Sequence, residues 1–286
     1  MLIRAVDSED LQPKMSRQLA NIADAVRSWI SENWNTPAAA TTVAVATTTG
    51  FAVAYLWKTD RTFQNWAREL TAIGIQFDDR VAARKRKLFQ ELETMKDVRE
   101  DGRLALLEIG CGGGTNFRYY PAGSEVICVE PNRHFEATLY ERAGQCTDVR
   151  ILALHVSPAE NLREVQSGSI DAVVSTQVLC SVRDLDQCLQ EVIRVLKPGG
   201  KFFFLEHVKS PPEFYVIRFC QTLLDFVWPH VYYGCRLSRT TQDNIRKAGF
   251  SSVDIEEFEA HEIMQPPKEF WGMRLVRSNI SGIATK

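Results

Sequence analysis

The chain predicts an α/β fold: a doubly wound, mainly parallel sheet of seven strands behind a helical N-terminal extension. Three observations carry that expectation. Short apolar runs alternate with helix-period segments from residue 101 onward. The first run, Leu104–Ile109, enters a loop with glycines at 110, 112 and 114. The second run ends in an acid, Glu130, twenty residues beyond Gly110.

The bulk properties agree. Of 286 residues, 45% are hydrophobic and 24% charged, which excludes wholesale disorder, collagen and a multi-span membrane protein. A net charge of −2 argues against a dedicated nucleic-acid binder. Residues 1–60 form the extension. Leu19, Ile22, Val26, Trp29 and Ile30 recur at helical spacing, while Asp7, Glu9, Asp10 and Asp24 oppose a mitochondrial presequence. Residues 33–57 carry no charge, and 38–57 are long enough to span a bilayer as a helix, with Trp34, Tyr55 and Trp57 near the ends. Five threonines, Gly50 and a single leucine weaken the apolar signal. Length and lack of charge favour an anchor over a linker or soluble helix. Within twenty residues Lys14, Arg17 and Arg27 balance Lys58, Arg61 and Arg68, and only wider windows favour the C-terminal side, a lean towards a cytosolic domain.

Residues 61–100 predict linking helices. Arg80, Arg84, Lys85, Arg86 and Lys87 sit beside an apolar stripe of Val81, Leu88 and Leu92. That pattern suits an anionic membrane surface, or equally a helix packing on the next domain. Residues 101–286 form that domain. Strands are expected at Leu104–Ile109, Glu125–Val129, Ile151–Val156, Ile170–Ser175 and Lys201–Leu205, with two later ones at Val253–Ala260 and Asn279–Ala284. The helix Asp184–Leu196 is expected to stop at Lys197-Pro198-Gly199-Gly200.

The glycine loop carries the chemistry. A dinucleotide loop wants G-x-G-x-x-G, and here the sixth position is Thr115. The spacing is instead acid-x-G-x-G-x-G from Glu108 to Gly114, which fits a nucleoside bearing an amino acid and no phosphate. A cationic ligand would suit the nearby Glu108. Glu130 is placed to accept both hydroxyls of a ribose.

Glu108–Gly114, Val129-Glu130, Ser169–Ser175 and Arg194–Gly200 resemble the successive motifs of class I, Rossmann-like, S-adenosylmethionine-dependent methyltransferases. More narrowly, Lys85–Phe89, Glu130-Pro131-Asn132, Val178–Val182, Leu205–Val208 and Gly234–Arg239 resemble the alkyl-thiol methyltransferase group, also called methyltransferase-like protein seven. The resemblance runs from about residue 78 to the C-terminus. It implies S-adenosylmethionine as cofactor, with Gly110, Gly112 and Gly114 on its methionine part and Glu130 on its ribose. Pro131 and Asn132 would flank the adenine, Ala159 and Glu160 would meet its edge, and Gln177 would face the cofactor. It also implies a small hydrophobic thiol as acceptor and a membrane-associated enzyme, at the endoplasmic reticulum or lipid droplets, with a mitochondrial or cytosolic location as the alternative.

A thiol needs little help to become a nucleophile, since a few per cent is already thiolate at neutral pH. If a base exists, His207 at the end of the fifth strand is the candidate, or else it is a structural histidine. Asp225 and His230 lie in an aromatic-rich insertion, Phe214–Tyr233, expected to cover the substrate or simply to pack. Seven cysteines without a CxxC pair suggest reduced thiols. Cys111, Cys180 and Cys235 could converge, but their spacing demands no metal site, and none is expected. Two rivals remain: methylation of a lipid (a quinone carbon or phospholipid amine), and a membrane or lipid-droplet scaffold with a vestigial fold.

Overall fold

The structure, a computed structural model, describes Ser28, Asp79 and residues 81–96, 102–146, 148–259 and 271–286. The expected anchor at 38–57, the amphipathic reading of 1–32 and most of the linking segment lie outside the described residues. Among the described residues, no helix is long and apolar enough to cross a membrane.

The strands are β1 (Ala105–Ile109), β2 (Ser124–Val129), β3 (Val149–His155), β4 (Ile170–Thr176), β5 (Leu196–His207), β6 (Ser252–Glu259) and β7 (Ser278–Thr285). The helices are α1 (81–96), α2 (Glu136–Gln145), α3 (Leu185–Val195), α4 (Tyr215–Leu224), α5 (Trp228–Val231) and α6 (Thr241–Lys247). One seven-stranded sheet runs in the order β3-β2-β1-β4-β5-β7-β6. Neighbours among β1 to β5 pair in parallel, and β7 runs antiparallel between β5 and β6.

Each face buries its own core. In β5, Phe202 and Phe204 point to one face and Phe203 to the other, as strand alternation requires. On the first face, Leu185, Cys188, Leu189, Val192 and Val195 recur along α3 and are buried. Asp184 caps that helix, its carboxylate accepting from Gln187 N at 2.9 Å. On the second face, Phe89 and Leu92 of α1 pack with Phe203 and Tyr120. Burying each large aliphatic or aromatic side chain stabilises the fold by about 1.5–3 kcal/mol.

One expected boundary needs correction. The helix ends at Val195, and β5 begins at Leu196 rather than Lys201. The β4–β5 ladder passes from Ile170–Leu196 directly to Ala172–Lys201, so the Pro-Gly-Gly turn is a bulge inside the strand. Asp171 fills the break, accepting from Lys197 Nζ at 2.7 Å and Ala105 N at 2.9 Å. The basic helix also divides. Arg84 lies 2.8 Å from Glu256 and 3.8 Å above the Phe258 ring, Lys87 reaches Glu256 at 3.4 Å, and Lys85 is buried. Those three cations address the sheet domain; Arg86 is exposed, and Arg80 lies outside the described residues.

Candidate active site

The glycine loop leaves β1 at the carboxyl edge of the sheet, where open α/β folds bind ligands. Gly110 and Gly112 have φ of +62° and +49°, which side chains disfavour. A Cβ on Gly110 would stand 2.3 Å from Val178 Cγ2, so glycine there lets the loop pack on the segment after β4. A Cβ on Gly112 would meet nothing within 4 Å, so that backbone borders open space. Glu130 ends β2 and ties the loop down. Its Oε2 accepts from Gly112 N at 3.0 Å and its Oε1 from Asn132 N at 2.9 Å. Each oxygen keeps a further lone pair. Burial pushes this carboxyl above its ordinary range, and the two amides partly offset that. Gly112, Glu130, Asn132, Phe135, Leu154 and Val156 line an adjoining cleft. Asn132 Oδ1 accepts from His134 N at 3.1 Å, and its side-chain amide is turned towards the Tyr233 phenol. Pro131 is exposed beside them.

Glu108 is held from behind. It accepts from Asn116 Nδ2 at 2.8 Å and from the Tyr120 hydroxyl at 2.7 Å. Asn116 Oδ1 in turn accepts from Lys85 Nζ at 2.7 Å, and its Nδ2 also reaches Thr176 Oγ1 at 3.0 Å. Burial and Glu108 together push the Tyr120 phenol well up, so it stays a donor. This buried network joins α1 to the loop. Sequence reasoning missed Lys85, Asn116 and Tyr120 in it, because no local spacing links them to Glu108.

At the end of β4, Gln177 has φ of +59°, and its Nε2 donates to Asn279 Oδ1 at 3.1 Å. Ala159 is buried; Glu160 accepts from Asp184 N at 3.2 Å and from Arg183 N, fastening the start of α3. Glu206, also missed, is fully buried. Its Oε2 accepts from Val178 N at 2.8 Å and Leu179 N at 3.1 Å, and its Oε1 meets the Ser175 hydroxyl at 2.6 Å. Burial, reinforced by Cys180, pushes this carboxyl up to about 8. A protonated Glu206 satisfies the same contacts, with Oε1–H donating to Ser175 and Oε2 accepting both amides.

The insertion after β5 folds over this edge. Asp225 accepts from Leu237 N at 2.6 Å, Ser238 N at 3.2 Å and the Ser238 hydroxyl, so its oxygens are occupied by the chain. Arg236 N donates to Cys180 O at 2.9 Å, and the Arg239 guanidinium donates to Leu179 O and Val182 O. These bonds stitch residues 234–239 onto the segment after β4. His207, buried at the end of β5, lies there too, its Nε2 3.3 Å from Cys235 Sγ. Cys180 completes a trio whose three ligating atoms all lie within 4.8 Å of one another. Sequence spacing pointed to no such His/Cys group, because its members are 27 and 28 residues apart and only the insertion's docking brings them together. Cys111 is not among them; it faces Cys128, which with burial holds the Cys111 thiol well above its ordinary range.

The family described as methyltransferase domain matches residues 107–204. Thiol S-methyltransferase TMT1A of Homo sapiens is 36% identical over 217 residues, 76% of this chain and 84% of that protein. Thiol S-methyltransferase TMT1B of Homo sapiens is 38% identical over 192 residues, 67% of this chain and 75% of that protein. Among solved structures, the CurJ carbon methyltransferase aligns with 92% of this chain and 70% of its own length, with a TM-score of 0.59. At 16% identity that likeness concerns the fold alone.

Proposed function

This chain belongs to the thiol S-methyltransferase family, and from that premise we propose that it moves a methyl group from S-adenosylmethionine to the sulfur of a small, hydrophobic thiol. The observation that carries the reading is the glycine loop fastened by Glu130 at the carboxyl edge of the sheet, with Gly112 facing open space. The donor suits the residues present. Gly112 leaves room where a Cβ would stand, and Glu130 keeps a lone pair on each oxygen for a ribose. Leu154 and Val156 offer an apolar wall to a purine beside Asn132.

When bound, S-adenosylmethionine supplies a methyl carbon on a sulfonium leaving group. The chain's part is to hold, orient and keep dry. Gly110, Gly112 and Gly114 would run along the methionine portion, with Gln177 beside it. Pro131, Asn132, Ala159 and Glu160 would border the adenine. Asp225 would act as a positioning residue, since its oxygens hold residues 237 and 238. His207 is the buried imidazole at this edge, available at Nδ1 to hold a proton. A transfer assay with labelled donor against hydrophobic thiols, glutathione, quinols and phospholipids tests the reading. Label in the hydrophobic thioether is expected. Label only in lipid, or absence of donor binding by calorimetry, would refute it.

A second observation supports an apolar surface nearby. The outer face of α4 carries Tyr215 and Phe219, 74% and 62% exposed, and continues to Phe226 at 77%. Its inner face buries Ile217, Gln221 and Leu224. Aromatic residues exposed at positions 215, 219 and 226 share a helical spacing, which suits an apolar contact surface. We infer that it meets a membrane surface, at the endoplasmic reticulum or a lipid droplet, with the domain on the cytosolic side. Phe219→Asp with Phe226→Asp should lower vesicle co-sedimentation several-fold; unchanged sedimentation would remove the patch from the reading.

A further inference from the structure

We propose that Cys180, His207 and Cys235 form a binding site for a thiophilic divalent cation, zinc in the first instance, whose open fourth position takes the acceptor thiol. The proposal rests on the thiol-transferase reading above and deepens it. The donor set comes first. Two cysteine sulfurs and one imidazole are soft-to-borderline ligands that suit Zn²⁺, and two thiolates would cancel its charge. Three protein ligands leave one position free, which is the pattern of catalytic rather than structural zinc sites.

The geometry is close to what the metal demands. Tetrahedral zinc with bonds of about 2.3 Å to sulfur and 2.0 Å to nitrogen separates N from S by roughly 3.5 Å and S from S by roughly 3.8 Å. His207 Nε2 and Cys235 Sγ already stand 3.3 Å apart, and all three atoms lie within 4.8 Å of one another. Closing the triangle needs a shift of about 1 Å. Each ligand comes from a different anchored element: Cys180 from the segment that Glu206 clamps, His207 from the last position of β5, Cys235 from the insertion bonded to Cys180 O through Arg236. Those anchors hold the donors together without the metal. The location also fits. Cys180 lies two residues beyond Val178, whose side chain packs on Gly110, so the first ligand sits on the segment that touches the loop proposed to hold the donor.

The chemistry balances without a further reactant. On binding, the acceptor R–SH releases its proton to solvent as its sulfur bonds the metal, which keeps it as thiolate at neutral pH. As the new S–CH₃ bond forms, the donor's own S–CH₃ bond breaks and its electron pair stays on the donor sulfur. The product is a neutral thioether, a weaker ligand than thiolate, and it leaves.

The test uses the full chain, stripped with a chelator and titrated with zinc against a chromophoric competitor, then with cobalt. One metal per chain is expected, with a near-ultraviolet thiolate-to-cobalt band. A small hydrophobic thiol should strengthen that band by about half, as a third sulfur joins two. Cys180→Ser and Cys235→Ser should each weaken metal binding by about 100-fold or more, while Cys146→Ser leaves it unchanged. In the unmutated chain, zinc should protect Cys180 and Cys235 from alkylation read by mass spectrometry, which keeps the test independent of how the variants fold. Metal uptake equal in the wild type and the double variant, or no zinc protection, overturns the site. A cobalt spectrum indifferent to thiol overturns the open position. Full thiol methylation by metal-free protein would sink the proposal and leave the functional reading intact; a metal-loaded chain that methylates no thiol would sink the functional reading and the acceptor's place on the metal, and leave only the metal site.

Discussion

Glu130→Gln isolates the contact on which donor recognition is proposed to rest. The carboxylate spends one lone pair per oxygen on Gly112 N and Asn132 N, leaving one per oxygen for the two hydroxyls of a ribose. A hydrogen bond to a charged acceptor contributes about 1.5–3 kcal/mol. Glutamine keeps one acceptor oxygen and loses the charge. Its NH₂ must face either the Gly112 or the Asn132 amide, donor against donor. Losing one charged contact and weakening the other amounts to about 3 kcal/mol, roughly 150-fold in donor affinity. Folding should suffer less. Burial raises this carboxyl, so whatever stability the group contributes is present at low pH and fades as pH rises through the raised value. Glutamine carries no such penalty, which offsets the strained amide. Binding should therefore collapse while the melting temperature moves by only a few degrees. The pH dependence supplies a second readout. Wild-type affinity should fall as pH drops through the raised carboxyl, sooner than an ordinary glutamate would allow, and the variant should be flat. Calorimetry with S-adenosylmethionine decides the matter; an affinity within threefold of wild type would refute the assignment of Glu130 to the donor.

The glycines should separate by role: Gly110→Ala, which meets Val178 at 2.3 Å, should cost about 3 kcal/mol or more in urea unfolding, whereas Gly112→Ala should cost about 1–2 kcal/mol in backbone strain yet weaken donor binding at least tenfold by calorimetry. Glu206→Gln should stay within about 1 kcal/mol of wild type, because a neutral side chain can serve Ser175 and the two amides, while Glu206→Leu strands both amides and should cost about 3 kcal/mol in the same assay. Lys85→Met removes the charged donor to Asn116 and should destabilise by about 2–3 kcal/mol, with salt having little effect because the pair is buried.

The fold was largely legible because a parallel sheet writes itself into short, continuous apolar runs. The β4 segment is buried at six of its seven positions, so it needs no alternation and shows none. Boundaries failed where chain geometry is locally ambiguous: Lys197–Gly200 looks like a turn and is a bulge, because Asp171 and Ala105 on neighbouring strands hold it in the ladder. The glycine loop and its tie to Glu130 were legible because a tight turn at a strand end imposes local spacing. The Lys85–Asn116–Glu108 network and the Cys180–His207–Cys235 trio were not, since their members are far apart in sequence and meet through packing of α1 and of the insertion. The basic run near residue 85 reads as a membrane face or a packed helix face, and neither its charge nor its apolar stripe reveals that Lys85 turns inward to Asn116.

The acids at this edge carry a more general ambiguity. Where parallel strands end, the backbone amides of the following segments lose their sheet partners and must find others. Glu130, Glu160 and Glu206 each give oxygens to such amides, of Gly112 and Asn132, of Arg183 and Asp184, and of Val178 and Leu179, while Asp225 does the same for Leu237 and Ser238 between α5 and α6. An acid after a strand therefore reads equally well as a ligand contact or as a staple for the next loop, and nothing in its spacing separates the two. What separates Glu130 is its neighbour. Its partner Gly112 faces open space, with a cleft running from that carboxylate to Leu154 and Val156. Asp225 and Glu206 instead bind segments packed beneath the insertion. The same division explains why replacing Asp225 should act through the position of Leu237 and Ser238, and why the donor's affinity should answer to Glu130.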